Sequence, residues 1–226
     1  MTNRKILAVS GAVAGLIGCW GDFVSLFIGG LKYPGYNHLT DTWSSLGASI
    51  SPVSDGMSLC WVIIGILFIW FAVGFRFAFS PADSSVRMDT LLIFLYGLGE
   101  GAGSGLFKAD HVGDSLTFSA EIHNLVGGIG VLALLILPLV MPRIIPDSKF
   151  AGFHTLSRIV FIAGCLWLLL FLSRYLPYKE SFFVRYKGLW QRLFVLNNYL
   201  YLTVIALRIL RNECRKNVYA GNRRLQ

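Results

Sequence analysis

The stretch Tyr96-Gly97-Leu98-Gly99-Glu100-Gly101-Ala102-Gly103-Ser104-Gly105-Leu106-Phe107 decides how this chain is read. It ends an apolar run over residues 89–107. Gly97, Gly101 and Gly105 recur every four residues, so on a helix they form one bare face against which a second backbone can lie closely. Each glycine also weakens a helix by about 1 kcal/mol relative to alanine, so this span is expected to be bent or locally unwound. Glu100 sits among them, and a carboxylate at that depth needs a partner, water or a proton. The features that follow are just as polar. Asp110, His111 and Asp114 fall between this run and the next, and Glu121 and His123 lie in the opening turns of the next.

Similar runs lie at about residues 6–30, 56–79, 118–141, 156–176 and 190–210. Each is long enough to cross a hydrocarbon core of about 30 Å at 1.5 Å per residue. The chain has 226 residues, of which 55% are hydrophobic and only 14% charged. Its mean hydropathy is +0.62. Soluble domains carry about 25% charged residues. The expected fold is therefore all-α: a polytopic bundle of six transmembrane helices over residues 1–211, followed by a short basic tail, 212–226. Pro34, Pro52, Pro81, Pro142, Pro146 and Pro177 fall between the runs, as helix punctuation does. Pro138 lies near the end of the fourth run, where a kink is expected. Asn3-Arg4-Lys5 followed by apolar residues resembles a signal peptide, but the run continues past Cys19 to Gly30, which favours a retained first span. The four cysteines show no metal or disulfide spacing.

The net charge of +8 reflects topology rather than nucleic-acid binding. One set of loops and termini collects Arg4, Lys5, Arg76, Arg87, Arg143, Lys149, Arg158, Arg208, Arg211, Arg215, Lys216, Arg223 and Arg224. The other has Lys32, Lys108, Arg174, Lys179, Arg185, Lys187 and Arg192. The positive-inside rule then puts both termini in the cytoplasm and the acidic–histidine cluster on the outer face of a cell membrane. In the first span Gly11, Gly15, Gly18 and Asp22 make one stripe, which turns Asp22 towards the bundle. Asp22 and Glu100 are thus the two intramembrane acids.

Three segments carry candidate chemistry. The first outer loop, Tyr36 to Ala48, is rich in hydroxyls; Asp41 is expected to cap a short helix there, or Ser44 to act as a nucleophile with His123 as its base. In the second segment, His123 is followed by Gly127 and Gly130 on nearly the same helix face and so points inward. It can pin the loop by bonding Asp110, bind a divalent metal such as zinc together with His111 and Asp110, or act in catalysis. The third segment brings Arg174 and, at the start of the last span, Arg192, whose planar fork suits Asp41, Asp110 or a substrate anion.

Together these segments resemble the six-helix bacterial and archaeal membrane-protein family known as domain of unknown function 998. Tyr36, Asp41, Thr42, Ser44, Leu46, Gly47 and Ala48 match its first outer loop. Gly105, Phe107, Asp110 and His123 match the next motif, and Gly188, Leu189 and Arg192 match the G-L-x-x-R opening of its last helix. Ser45 stands where the family has glutamate and Trp43 where it has isoleucine. The resemblance implies the fold and marks Ser44, Asp110, His123 and Arg192 as motif positions. The chain is also loosely similar to transmembrane hydrolases that set Ser, Asp and His at one membrane face. The functional expectation is an outward-facing hydrolase of a lipid or other amphiphile. In it Ser44, Asp110 and His123 are catalytic, and Asp41, Arg174 and Arg192 bind substrate. A carrier or receptor for a small ligand and a non-catalytic membrane scaffold are the alternatives.

Overall fold

The computed structural model describes residues 3–79, 81, 83–112, 115–148, 150–178 and 180–222. Asp114, Lys149, Lys179, Arg223 and Arg224, which entered the readings above, lie outside the described residues. In chain order the helices begin with α1 (Asn3–Lys32), α2 (Ser54–Ala78) and α3 (Ser84–Tyr96). A π-helical segment, Gly97–Gly103, and one turn, α4 (Ser104–Leu106), continue α3 without a break. A two-residue hairpin follows, β1 (His111–Val112) paired antiparallel with β2 (Ser115–Leu116). Then come α5 (Phe118–Val140), α6 (Phe153–Leu172), the short α7 (Phe182–Arg185) and α8 (Lys187–Asn222).

Among the described residues five segments are long and apolar enough to cross a membrane: Asn3–Lys32, Ser54–Ala78, Phe118–Arg143, Phe153–Tyr175 and Lys187–Arg215. The third expected span is helical but is not one regular apolar helix. Its second half widens into the π segment where glycine alternates with other residues, because bare backbone has little side-chain reason to hold the tighter α-turn.

Glycine contacts set the packing. Gly11 of α1 lies against the Gly74 backbone of α2, and Gly15 and Gly18 lie on the rings of Phe71 and Phe68. Gly97 and Gly101 close on the Gly65 backbone of α2, while Gly105 meets the carbonyl of Ser58. On its other side the π segment touches α5, with Gly99 and Gly103 against Val126, and Gly127 and Gly130 against Glu100. The π segment is therefore clamped between two helices, as close as backbones allow. The aromatic core lies beside it. Phe68, Phe71, Phe75, Tyr199 and Tyr201 are fully buried, and Phe68 meets Tyr96 edge-on at 4.9 Å between ring centres.

Polar caps mark the helix starts. Asp83 accepts a hydrogen bond from Val86 N at 2.9 Å, and Thr117 Oγ1 accepts one from Ala120 N at 3.2 Å. At Pro138 α5 continues only to Val140 before a 3-10 turn, Met141–Arg143, and the chain then leaves the bundle. α8 runs on as helix to Asn222, past the expected end of its span.

A Cβ added at Gly11 would fall 2.5 Å from Gly74 Cα, a backbone atom that cannot rotate away, whereas Gly21 has nothing within 4 Å. Gly11→Ala should therefore destabilise the protein by about 1–3 kcal/mol through overpacking. Gly21→Ala should be neutral or stabilising by roughly 0.5–1 kcal/mol. Thermal unfolding of the two variants in one detergent checks both signs.

Candidate functional site

One end of the bundle gathers the loop between α1 and α2, the α4–α5 junction and the start of α8. The loop contains a 3-10 turn, Trp43–Leu46, and α8 straps it down. Trp43 N donates to Gln191 Oε1 at 2.7 Å, and Leu189 N donates to Leu39 O at 2.9 Å. The guanidinium of Arg192, only 8% exposed, donates through Nη1 to the carbonyls of Asp41 at 2.9 Å and Gly188 at 2.8 Å. Its Nη2 donates to Tyr36 Oη at 2.5 Å and lies 3.3 Å from His38 Nδ1. Burial and the neighbouring Arg192 charge push His38 below its ordinary pKa. The ring is therefore neutral, and Nδ1 can accept.

Arg192 was expected to face a carboxylate or a substrate anion. The structure instead occupies its fork with backbone carbonyls, a phenol and an imidazole, because α8 begins directly beneath the loop. Asp41 differs from expectation too. Its Oδ2 accepts from Asn37 N at 2.7 Å and closes the turn before the 3-10 segment. Thr42 takes the capping position there, with no side-chain cap bond.

The strap places Ser44 over α5. His123 is buried, with Nδ1 2.8 Å from Phe107 O and Nε2 3.3 Å from Ser44 Oγ. A carbonyl can only accept, so Nδ1 carries the proton. Nε2 then keeps its lone pair, and the Ser44 hydroxyl donates to it. The imidazole beside Ser44 is thus oriented by a backbone carbonyl at the end of the glycine-rich segment.

Asp110 stands elsewhere. Its carboxylate accepts from Ser49 N at 2.7 Å and Ser49 Oγ at 2.6 Å, and these bonds hold it below the usual carboxylate range. Its carbonyl accepts from Thr117 N and Thr117 Oγ1, both at 3.2 Å. Asp110 therefore ties the two loops together, and Phe107 O takes the place beside His123 where an aspartate was expected. His111 is exposed on β1. The metal set His111, His123 and Asp110 is accordingly not brought together. Among the described residues no group of three His, Cys, Asp or Glu side chains could hold a metal ion. The hairpin turns His111 outward, while His123 uses both ring nitrogens internally.

Two cavities meet at this pair. A small one of about 20 Å³ is lined by Asp22, Trp43, Ser44, Tyr96, Glu100, His123 and Tyr199 among others, which is room for a single water. Asp22 Oδ2 accepts from Tyr199 Oη at 2.5 Å, and Tyr96 Oη lies 2.7 Å from Tyr199 Oη. Asp22 Oδ1 is buried with no partner among the described residues and so has an unmet acceptor. The larger cavity, about 350 Å³, is also lined by Ser44, Glu100 and His123, and adds Arg174, Gln191 and an apolar wall. The Arg174 guanidinium lies 4.0 Å over the Phe171 ring and donates through Nη2 to Tyr175 Oη at 2.6 Å.

Sequence reasoning missed Phe107 O, Tyr96, Tyr199 and Gln191. The two tyrosines carry a signal, since phenols in apolar runs need polar company. Gln191 beside Arg192 at a span start carries a weaker one. A backbone carbonyl carries none.

The long apolar helices, packed around an interior that Asp22 and Glu100 help to line, define a multi-pass integral membrane protein. The chain matches the family model described as Protein of unknown function (DUF998) over residues 16–208, and it belongs to that family. No curated protein and no solved structure matches it.

Arg192→Met should leave the Asp41 carbonyl without its donor, at about 1–3 kcal/mol if that group stays dry, while the Gly188 carbonyl keeps its helical bond. Hydrogen exchange over residues 37–47 should accelerate in that variant while α2 keeps its protection. Asp110 gives a pH signature. Its depressed pKa means the Ser49 tether contributes stability above the ordinary aspartate value, about 3.9. That contribution is lost as pH falls through the lower folded value. The melting difference between wild type and Asp110→Asn should therefore be present at neutral pH and shrink on acidification below about pH 4.

Proposed function

We propose that this protein is a membrane-embedded serine hydrolase that cleaves an acyl ester of a lipid or other amphiphile. In this reading six spans cross a cell membrane, both termini are cytoplasmic, and the site faces outward. The carrying observation is the 3.3 Å contact of Ser44 Oγ with a His123 Nε2 whose tautomer is set by Phe107 O. That pair opens on a cavity of about 350 Å³, within the range typical of small-molecule sites.

The chemistry runs as follows. Ser44 Oγ attacks the ester carbonyl carbon while its proton passes to His123 Nε2. The tetrahedral intermediate collapses, the C–O bond to the alcohol breaks, and His123 returns the proton to the leaving alkoxide. Water then repeats the sequence on the acyl-serine, releasing the acid and restoring Ser44. Trp43 Nε1, buried without a partner among the described residues and on the wall of the small cavity, is the donor we assign to the developing oxyanion. Phe107 O orients the imidazolium but carries no full charge, so the pair is a weaker base than one backed by a carboxylate.

The carrier alternative draws support from the unpartnered Asp22 Oδ1 and the nearby Glu100. A cavity that admits one water is too narrow for a solute, so those acids are better read as holding water or a proton.

The test uses purified full-length protein, a fluorophosphonate probe and a p-nitrophenyl ester series. Labelling should map to Ser44. Ester turnover should fall at least ~10³-fold in Ser44→Ala and about 10²–10⁴-fold in His123→Ala. Folded protein that takes no label at Ser44, or a Ser44→Ala variant that turns over esters like wild type, removes the hydrolase reading.

A further inference from the structure

We propose that the larger cavity is a slot open sideways to the bilayer. It takes the acyl chain of a lipid with an anionic headgroup, and Arg174 holds that headgroup. The slot builds on the hydrolase reading of Ser44 and His123, but its own evidence is the way α6 packs.

The buried residues of α6 are Phe153, Ser157, Val160 and Gly164, none of them beyond Gly164. Gly164 lies against the Leu135 side chain of α5. Beyond it, from Cys165 to Tyr175, no residue is buried. The two helices therefore meet tightly at one end and leave space between them at the other. The cavity fills that space, with Leu168, Phe171 and Leu172 on the α6 side.

The facing wall of α5 presents Asn124, Gly128 and Leu132, four residues apart and all exposed. This stripe runs about 12 Å at 1.5 Å per residue. In a multi-pass membrane protein an exposed apolar wall of this kind looks onto lipid, so the slot has a side entrance as well as a polar end.

The polar end holds the two charged groups of the lining, Arg174 and Glu100. Among the described residues no ion pair joins them. One Arg174 amino group is taken by Tyr175 Oη; the other, Nη1, makes no hydrogen bond among the described residues, and Nε is enclosed by protein. A cation stacked on a ring with a free donor matches a phosphate or carboxylate oxygen. Of the two arginines assigned to substrate from sequence, Arg192 has its fork occupied by the loop, which leaves Arg174 at the end of α6 for the anion. An acyl chain in the apolar wedge with its headgroup at Arg174 puts the ester linkage at the end of the slot that Ser44 and His123 line.

The experiment is lipid retention by native mass spectrometry, in the Ser44→Ala background so that turnover cannot remove the ligand. Phosphatidylglycerol, oleate and phosphatidylcholine are offered separately. The anionic lipids should be retained over phosphatidylcholine, with phosphatidylglycerol and oleate distinguishing a phosphate from a carboxylate headgroup. Arg174→Gln should cut that preference by about tenfold or more, as expected for losing one charge-assisted contact. Gly128→Trp, at a position with open space around its Cα, should block retention of both anionic lipids without lowering the melting temperature. Gly21→Trp, equally open and on α1, should leave retention as it was. Unchanged retention in Gly128→Trp overturns the slot, and unchanged preference in Arg174→Gln overturns the headgroup assignment. Because retention is read without Ser44, a failed esterase assay with intact retention rejects the hydrolase and leaves the slot standing.

Discussion

Close backbone contact at Gly65 is the constraint on which the rest of this molecule depends. In a bilayer, lipid tails are as apolar as the side chains they touch, so helices associate through packing and not through expulsion of water. Gly97 and Gly101 reach the α2 backbone at Gly65, and Gly99 and Gly103 reach α5 at Val126. A methyl group at any of these contacts would separate two helices. The depth of α5 relative to the glycine-rich segment follows from this clamp. So does the meeting of the Phe107 carbonyl, at the end of that segment, with the His123 ring.

Polar bonds do the equivalent work for the loop above. Its anchor is a guanidinium with four partners on the loop and on α8 itself. Hydrogen bonds to a buried charge contribute about 1.5–3 kcal/mol each, roughly twice a neutral bond. Lysine has no planar fork and could not reproduce the arrangement. The exposed ion pair of Lys108 with Asp55, 2.7 Å long, is the useful contrast. It joins the same end of the bundle, yet solvent screening leaves it a minor contribution. The buried fork and the Gln191 bond, and not surface charge, hold Ser44 over the histidine.

The interior beneath Ser44 is arranged by hydroxyls. Tyr199 satisfies one oxygen of Asp22 and is itself met by Tyr96. Glu100 lies against α5, its carboxylate beside Gly127 and its backbone beside Gly130. The two acids face a space of one water that Ser44 and His123 also line. The serine–histidine pair therefore stands between a wide apolar cavity and a narrow acidic one.

Local pattern was enough to read much of this from the residues in order. Apolar runs of the right length located the helices, the glycine stripe of the first span turned Asp22 towards the bundle, and the density of glycine in the third span predicted its irregularity. Gly127 and Gly130 on the same face as His123 turned that ring inward. All of these are periodicities of one segment, and a helix converts sequence spacing directly into direction in space. Partner choice is different. Asp110 was free to meet His123, a metal or Arg192, and it met Ser49. Arg192 was free to meet a carboxylate, and it met carbonyls. The acceptor that sets the His123 tautomer is a main-chain oxygen present at every residue. Spacing in the sequence therefore determined which way side chains on the regular helices face. Only the tertiary structure decided what each one meets, because that depends on how far separate helices slide past one another before their backbones touch.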